Sequence, residues 1–507
     1  MLWAEKVLSR NEVLVFFIVA ALVYVFPIIN ADYAYIDDGW RSLLIADGAW
    51  RTHGRLLLEV FVKFFAFNNA TINVFPFPLL IATVAMAFAM RRLTYRYFPQ
   101  PRMTACLVVL PLLCSPFFLG NITFQYDGPG MMLAVVAAIY AISCDISNRF
   151  LRGVSSALLV TVIMAFYQLA ITVFIGLCAV ELIWDVRNKK SAAIILGGLA
   201  QRLVQLAVGG ALYYLTFFQM IVFGLRGNLV FADPQWPERI EDIFSVSMKH
   251  IQVLMNSGNM YFVVPLLLVA CAGFVLLIKE SLDLEGSRQK KIVVLVFCLC
   301  VIPILLMGVP GVMLFLVEPY LFVRDYLGFS VVLFFLFLLN YECLGRVRHG
   351  LQWFLLLPTL WMFSLCYAYG QVLVAKKELE TAFATFVAYD IVASPELGRA
   401  DIIYLVLGPK TEGNWLPKGN SAMSYMPVLK LILTDDNQVL HPYFLPRLGI
   451  NSVVSGRREM FEAAIAGGKA SRLLLDRKFY SIYATEAGFF LVMKSLGDLD
   501  KYTHPVY

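Results

Sequence analysis

Long apolar runs in the first 370 residues constrain the fold of this chain more than any other feature. Residues 13–29, 79–90 and 331–339 contain no charged side chain. A helix that crosses the hydrocarbon core of a bilayer needs about 20 predominantly apolar residues. The whole chain is 60% hydrophobic and 15% charged, whereas soluble domains carry about 25% charged residues. These features predict a polytopic α-helical membrane protein.

The apolar pattern predicts about eleven transmembrane helices within residues 1–370. Their predicted ranges are 12–31, 72–90, 103–120, 130–144, 153–166, 168–184, 203–225, 260–278, 291–310, 328–341 and 351–369. The first is predicted to be an uncleaved span rather than a signal peptide, because it is long and no good cleavage site follows it. The fifth and sixth are short and meet at Phe166-Tyr167-Gln168, so a single hairpin dipping across the bilayer is the alternative.

Positively charged residues alternate between loops, and this alternation predicts the orientation of the chain. One set of loops holds Lys6, Arg10, Arg91, Arg92, Arg96, Arg102, Arg149, Arg152, Arg187, Lys189, Lys190, Lys279, Arg288, Lys290, Lys291, Arg346 and Arg348. By the positive-inside rule these loops are cytoplasmic. The N-terminus is then cytoplasmic and an odd number of spans places the C-terminus outside. The net charge of +6 therefore reflects membrane orientation and does not indicate nucleic-acid binding.

The composition changes after Gly370, which predicts a small α/β domain over residues 371–507. "DIIYLVLG" (401–408), "LKLIL" (429–433) and "GFFLVM" (488–493) predict strands, and "EMFEAAIAG" (459–467) predicts a helix. This part contains no Gly-rich phosphate loop and no His/Cys cluster. All nine Cys lie at or before Cys366 without metal-ligand spacing, which is typical of small apolar packing residues.

Residues 31–71 form the largest predicted outer loop, and their helical apolar pattern predicts amphipathic helices on the membrane surface. If a helix begins near Asp37, then Asp37 and Arg41 share a face, while Asp38 points about 100° away. One carboxylate can then be held by Arg41 while the other faces an open site. The alternative is that both acids only cap the start of the helix.

Two further outer segments carry polar side chains beside apolar spans. Asp127 follows Tyr126 where the fourth span begins, and a carboxylate at a membrane boundary is costly unless it is paired or used. The alternative for Asp127 is a turn or capping residue. Tyr167 and Gln168 lie between two spans, where hydrogen bonding between helices is the alternative to a functional role.

Arg324 lies in the outer segment "VEPYLFVRDYLG" at 317–328 and could hold an anion with its planar fork of donors. Snorkelling, or pairing with Asp325 or Glu318, is the alternative. Acids and arginines thus converge on one predicted membrane surface. Such a site suits an amphiphilic phosphate donor, with arginines on the phosphate and a carboxylate as base. It suits an ion pathway less well, because the acids do not run through the spans.

"DDGWRSLLIADGAWRTHGR" at 37–55 resembles the GtrII family of bacterial and phage membrane glucosyltransferases that modify O-antigen. The similar features are Asp37-Asp38, Arg41, Trp50 and Gly54-Arg55. "TFQYD" (123–127), "FYQ" (166–168) and Arg324 are similar to further positions of that family, in the same order along the chain.

The resemblance implies a GT-C type fold, with an active site in the first outer loop. Glucose would pass from undecaprenyl phosphate-glucose to O-antigen units at the periplasmic face of the bacterial inner membrane, with inversion. Asp37 or Asp38 would act as base, and Asp127 would bind sugar hydroxyls. Arg41, Arg55 and Arg324 would contact the donor phosphate or orient the acids, and the other substrate-binding positions would be Trp50, Tyr126, Tyr167 and Gln168.

Several alternatives stay open beside this interpretation. No cofactor is required, although paired acids leave room for a divalent ion. A transferase of another sugar, or one with another envelope acceptor, is an alternative within enzymes. A transporter or flippase of lipid-linked sugars is the alternative from another class.

Overall fold

The computed structural model of this chain describes residues 6–43, 49–222, 229–317, 319, 321–407, 416–433, 440, 442–466 and 471–494. The chain forms two compact units. The first unit comprises Met1–Ile29 and Ile45–Tyr367, and the second comprises Asn30–Leu44 and Ala368–Tyr507. The segment that carries the paired acids therefore groups with the C-terminal residues.

Helices make up most of the described chain. They are α1 (Arg10–Ala31), α2 (Asp38–Arg41), α3 (Leu56–Ala66), α4 (Phe77–Tyr97), α5 (Met103–Val109), α6 (Pro111–Cys114), α7 (Phe118–Thr123), α8 (Asp127–Ile142), α9 (Arg149–Phe166), α10 (Ile171–Arg187), α11 (Ala192–Leu215), α12 (Trp236–Gln252), α13 (Met260–Leu282), α14 (Arg288–Met307), α15 (Phe329–Val347), α16 (Leu356–Ala393), α17 (Asn420–Tyr425), α18 (Val428–Leu433) and α19 (Arg458–Ala466).

Eight helices among the described residues are long and apolar enough to cross a membrane, namely α1, α4, α10, α11, α13, α14, α15 and α16. Three shorter apolar stretches, Met103–Cys114, Asp127–Ile142 and Phe150–Phe166, lie at three of the other predicted spans. The predicted helical membrane protein with many spans is confirmed. The number eleven stays a prediction, because length and composition alone do not decide whether the three shorter stretches cross.

Interruptions between helices place the polar residues of the first unit. Helix α9 ends at Phe166, and Tyr167 is extended, with φ −159° and ψ 107°. A 3-10 turn over Gln168–Ala170 then leads into α10. The fifth and sixth predicted spans are therefore two helices, which separate at the predicted residues.

The second unit contains a five-stranded sheet of order β2-β1-β5-β4-β3. Its strands are β1 (Ile403–Val406), β2 (Val453–Gly456), β3 (Arg472–Asp476), β4 (Tyr480–Thr485) and β5 (Gly488–Met493). Strand β1 pairs in parallel with β2 and β5, whereas β4 is antiparallel to β3 and β5. The predicted α/β character, the strands near 401–408 and 488–493, and the helix near 459–467 are confirmed; Gly408 and Gly467 lie outside the described residues.

The predicted strand at 429–433 is wrong, because this segment lies in helix α18. Val428, Leu429, Ile432 and Leu433 are buried. Their spacing, with the second pair four residues after the first, places them on one side of a helix. A short apolar run does not distinguish a strand from a buried helical turn.

Candidate functional site

A single tight turn at Trp50–Arg55 orients two of the predicted site residues. A 3-10 helix over Arg51–His53 ends at Gly54, which has a left-handed φ of 72°. The backbone N–H of Arg55 then donates to the carbonyl of Trp50 at 2.9 Å. A left-handed residue is the usual way to end a helical turn. The turn brings the side chains of Trp50 and Arg55 to the same side.

Asp127 is the common partner of these two side chains. Its carboxylate is buried at the first residue of α8. Oδ1 accepts the indole N–H of Trp50 at 3.0 Å and lies 3.5 Å from Nη1 of Arg55. Asp127 is the first residue of α8 and directly follows the N-cap position Tyr126. Burial of a carboxylate beside a membrane span costs free energy unless the carboxylate is paired. Asp127 is paired with Trp50 and Arg55.

Arg55 also contacts both residues of the break between α9 and α10. Its Nε donates to Oε1 of Gln168 at 3.3 Å, and its guanidinium carbon lies 4.7 Å from the centre of the Tyr167 ring. Hydrogen bonds and stacking together fix a planar guanidinium in one orientation. The side chain of Arg55 remains 25% exposed, so an anion can reach it.

The amide of Gln168 is held by groups that the sequence did not single out. Its Nε2 donates to the carbonyl of His53 at 2.6 Å and to the hydroxyl of Tyr213 at 2.9 Å. Tyr213 in turn donates to the carbonyl of Gly54 at 3.3 Å. Tyr213 lies within the apolar helix α11. The sequence around a single Tyr in such a helix does not indicate which residue its hydroxyl contacts.

Asp325 extends this cluster on the other side of Tyr167. Its Oδ1 accepts the hydroxyl of Tyr167 at 3.4 Å. Burial raises the pKa of Asp325 to about 6, although the adjacent Arg324 guanidinium opposes this shift. Burial, followed by the nearby Asp325 carboxylate, raises the pKa of Tyr167 well above its ordinary value, so this hydroxyl stays protonated. The sequence alone suggests Asp325 only as a partner of Arg324.

Arg324 itself packs against aromatic rings. Its guanidinium carbon lies 4.4 Å from the ring centre of Phe322 and 5.4 Å from that of Phe124. Such contacts stabilise a cation and orient its guanidinium plane. Glu318, the other predicted partner, lies outside the described residues.

Trp50 and Tyr126 form the apolar part of the cluster. They pack with Leu58 and Val62 of α3 in one buried group. The Tyr126 hydroxyl donates to the carbonyl of Thr71 at 2.8 Å. Both aromatic residues therefore position the cluster through packing as well as through hydrogen bonds.

Helix α3 confirms the predicted helical pattern after Arg55. Val60 and Phe64 are 54% and 64% exposed, as expected of an apolar face that lies on a membrane. Glu59 is buried on another side, where it accepts the backbone N–H of Arg51 and the ammonium of Lys63, each at 3.0 Å. Glu59 thereby ties α3 to the turn that carries Arg55.

In the second unit, the paired acids flank the start of the short helix α2. Asp37 Oδ2 lies 3.4 Å from Nη2 of Arg41, and Oδ1 accepts the indole N–H of Trp40 at 3.3 Å. Asp37 makes no side-chain capping bond, and its side chain is 46% exposed. The predicted pairing of Asp37 with Arg41 is thus present in the structure.

Asp38 has a different environment from Asp37. It is only 1% exposed and accepts the backbone N–H of Tyr35 at 3.2 Å. The second carboxylate therefore does not lie open to solvent, contrary to the expectation from helical spacing. The reason is that α2 has a single turn, so the preceding backbone folds back over Asp38.

Residues of the C-terminal part of the second unit hold this segment from several sides. The Tyr35 hydroxyl donates to the carbonyl of Ile432 at 2.7 Å, and Tyr33 donates to Glu380 of α16 at 3.0 Å. Arg447 donates to the carbonyl of Gly39 at 3.4 Å and to Ser42 at 3.3 Å. The C-terminal residues thereby position the acids.

The structure therefore brings the predicted residues together in two groups, one in each unit. Trp50, Arg55, Tyr126, Asp127, Tyr167 and Gln168 form one contact network that extends through Asp325 to its neighbour Arg324. Asp37, Asp38 and Arg41 form the other. No three His, Cys, Asp or Glu side chains group as metal ligands in the described ranges, and metal-independent action stays a prediction.

Sequence comparison gives the family of this chain. The profile of glucosyl transferase GtrII matches residues 26–341, which is more than half of the 507 residues. The chain belongs to the GtrII family. All ten predicted site residues lie inside the part of the chain that matches GtrII.

A relative from Salmonella phage P22 is described as an uncharacterized 55.3 kDa protein in the gtrB 5' region. It is 26% identical to this GtrII member over 208 residues, which is 41% of this chain and 43% of the phage protein. The match thus spans less than half of the relative's length. No solved structure matches the chain.

Gly54→Ala is expected to destabilise the first unit. An added Cβ would lie 2.4 Å from the Tyr213 hydroxyl, and a left-handed non-Gly residue costs about 1–3 kcal/mol. The thermal unfolding midpoint of the purified protein in detergent should fall by several degrees. Gly210→Ala is the matched control, because no atom lies within 4 Å of its added Cβ and Ala favours a helix interior. An unchanged midpoint for Gly54→Ala would contradict this role.

Proposed function

We propose that this chain is an inverting glucosyltransferase of GT-C type. It moves glucose from undecaprenyl phosphate-glucose to O-antigen repeat units of lipopolysaccharide, at the periplasmic face of the bacterial inner membrane. The N-terminus is cytoplasmic and residues 371–507 are periplasmic in this proposal. Membership of the GtrII family supports the reaction class. The observation that carries the proposal is the fixed, partly exposed guanidinium of Arg55.

Arg55 fits the phosphate of the donor. Its Nε and Nη1 are engaged by Gln168 and Asp127, whereas Nη2 donates no hydrogen bond to any residue in the described part of the chain. A fixed donor aimed at a phosphate stabilises the charge that develops as the glycosyl bond breaks. Arg324 supplies a second cation in this proposal, since it lies next to Asp325 of the same cluster.

Asp127 and the aromatic side chains complete the donor subsite. Asp127 holds Trp50 and Arg55 in place, and in this proposal it also contacts sugar hydroxyls. Tyr126, Tyr167 and Gln168 shape the subsite. Aromatic rings with polar tips suit a ligand that has both apolar and polar surfaces.

The base is Asp37 or Asp38. The acceptor hydroxyl oxygen attacks the anomeric carbon while its proton passes to the carboxylate. The bond from that carbon to the phosphate oxygen breaks, and undecaprenyl phosphate leaves with the electron pair. The exposed Asp37 is the better placed of the two to reach a hydroxyl, and Arg41 orients it. The donor is already an activated glycosyl phosphate, so the proposal needs no cofactor.

The test is a transfer assay with membranes that contain the full chain and a lipid-linked O-antigen acceptor. We expect transfer of radiolabelled glucose from polyprenyl phosphate-glucose and none from uridine diphosphate glucose. Polyprenyl phosphate-mannose and a protein acceptor test for another sugar or another acceptor. Movement of the lipid-linked sugar across vesicles without any transfer would favour a flippase and overturn the proposal.

Asp325 should make donor binding depend on pH. Its carboxyl is neutral well below a pKa of about 6 and negative above it. The pKa of Asp325 is raised in the folded state. Its favourable contribution to the stability of the fold is therefore complete below the ordinary pKa of an Asp carboxyl and is lost as the pH rises through about 6. The negative charge beside Tyr167 also opposes an anionic donor.

The KM for the lipid donor is therefore expected to rise between about pH 6 and pH 8, and Asp325→Asn should flatten this rise. A phosphodiester does not titrate in this range, so the donor itself does not cause the change. His53→Gln is the control that should keep the rise, because the His53 ring contacts the carbonyl of Ala49 at 2.8 Å. A pH profile of KM that is the same for Asp325→Asn and the unchanged protein would contradict the assignment.

A further inference from the structure

A long apolar groove lies among the helices of the first unit. It has a volume of about 510 Å³ and is lined from α12, α13, α14, α15 and α16. Met248, Phe262, Ala270, Leu305, Val332 and Trp361 represent these walls. Where the chain is described, no charged side chain lines it, and the amide of Asn259 is engaged by the carbonyl of Leu254 at 2.6 Å. The groove offers nothing to a polar ligand.

The shape of the groove points to a chain-like occupant. Its lining along α13 and the N-cap residue before it runs from Asn259 to Val275, which is about 24 Å at 1.5 Å per residue. That length approaches the roughly 30 Å thickness of the hydrocarbon core. A compact sugar or nucleotide would leave most of such a groove empty, whereas one hydrocarbon chain would fill it.

Packed aromatic residues connect the groove to the candidate donor subsite. Phe329 lines the groove and packs on Phe117 with ring centres 5.0 Å apart. Phe117 also packs on Tyr326, whose hydroxyl lies 2.9 Å from Nδ1 of His250. Tyr326 directly follows Asp325, the acceptor of the Tyr167 hydroxyl. Phe329, Phe117 and Tyr326 thus connect the lining of the groove to Asp325.

We propose that this groove binds the polyisoprenyl chain of the lipid-linked donor. The phosphate of that lipid would then lie at the end of the groove nearest Asp325, close to Arg55 and Arg324. The proposal rests on the proposed function for the identity of the lipid. The chemistry that the groove recognises is a long, branched, uncharged hydrocarbon that carries a single anionic head.

The experiment fills the groove and compares lipids of different length. Ala270→Trp places a large ring in the groove at a residue that is 2% exposed. Val332→Trp does the same from α15 and serves if the first variant does not fold. Leu268→Trp is the matched control, because Leu268 lies on the same helix outside the groove and is 65% exposed. The probes are undecaprenyl phosphate and geranyl phosphate, with binding measured on the full chain in nanodiscs.

We expect the unchanged protein to bind undecaprenyl phosphate at least about tenfold more tightly than geranyl phosphate, because more apolar surface is buried. Either groove variant should lower the affinity for the long lipid to that for the short lipid, whereas Leu268→Trp should not. Equal binding of both lipids by the unchanged protein, or full retention in both groove variants, overturns the proposal. Equal competition by phosphatidylglycerol also overturns it, since the groove would then hold any bilayer lipid.

The same variants separate this proposal from the proposed function. If the long lipid binds selectively but no glucose is transferred, the groove assignment stands and the transferase assignment fails. If glucose is transferred equally well from long and short donors, and the groove variants transfer normally, the groove assignment fails and the transferase stands.

Discussion

Asp37→Asn is expected to lower kcat for glucose transfer by about 10²- to 10⁴-fold, which is the usual contribution of a general base. Asn keeps an oxygen that accepts the Trp40 indole N–H, but it does not take up the proton of the acceptor hydroxyl. The KM for the lipid donor should change little, since Asp37 acts on the acceptor. Initial rates with radiolabelled donor in membranes give both quantities.

Asp38→Asn is the matched comparison for this prediction. Asp38 is buried and accepts the backbone N–H of Tyr35, so its replacement should lower the thermal midpoint more than it lowers kcat. Loss of transfer in Asp38→Asn, with normal transfer in Asp37→Asn, would reverse the assignment of the base. If neither variant changes transfer while both block lipid translocation, the enzyme proposal is wrong.

Much of the helical architecture was predictable because a helix that crosses a bilayer needs a long apolar run, which is easy to identify in a sequence. Within the described residues each predicted span coincides with helical structure, although the span predicted at 103–120 is divided among α5, α6 and α7. The separation of α9 from α10 falls at Phe166-Tyr167-Gln168 as predicted. The three shorter apolar helices show what sequence does not decide. Neighbouring protein can cover the ends of a short helix, so its length alone does not establish whether it crosses.

The residues of the cluster around Arg55 were predictable from the sequence, but the contacts between them were not. Trp50, Arg55, Asp127 and Gln168 were named from residue type and position, yet nothing in the sequence showed that Asp127 receives both Trp50 and Arg55. Tyr213 was missed because a polar atom in an apolar span has no periodic signature. Its role depends on a contact with residues more than 40 positions away.

The environment of the paired acids was the least predictable part of the site. Helical geometry correctly placed Asp37 with Arg41, because that contact is local. The burial of Asp38 depends on tertiary packing, which no spacing rule contains. The hydrogen bonds from Tyr35 to Ile432 and from Arg447 to Gly39 likewise join residues about 400 positions apart.

Arg55→Lys is expected to lower kcat/KM for the lipid donor by about 10²- to 10³-fold, the usual cost of losing one fixed charge-stabilising donor. The charge is kept, but an ammonium group is a compact point charge without a planar fork. Lys does not donate simultaneously to Gln168 and Asp127 while stacking on Tyr167 as Arg55 does. The measurement is the initial rate at donor concentrations well below KM.

Arg51→Lys is the control, because Arg51 lies in the same turn with an exposed side chain and should tolerate the change. Thermal midpoints of both variants show whether the turn is intact. Nearly normal kcat/KM for Arg55→Lys, with a strong loss for Arg55→Ala, would mean that the donor needs a positive charge and no particular geometry. A loss of kcat/KM in both Arg55→Lys and Arg55→Ala, with normal folding, would mean that the donor needs a guanidinium in the fixed planar orientation that Asp127, Gln168 and Tyr167 impose.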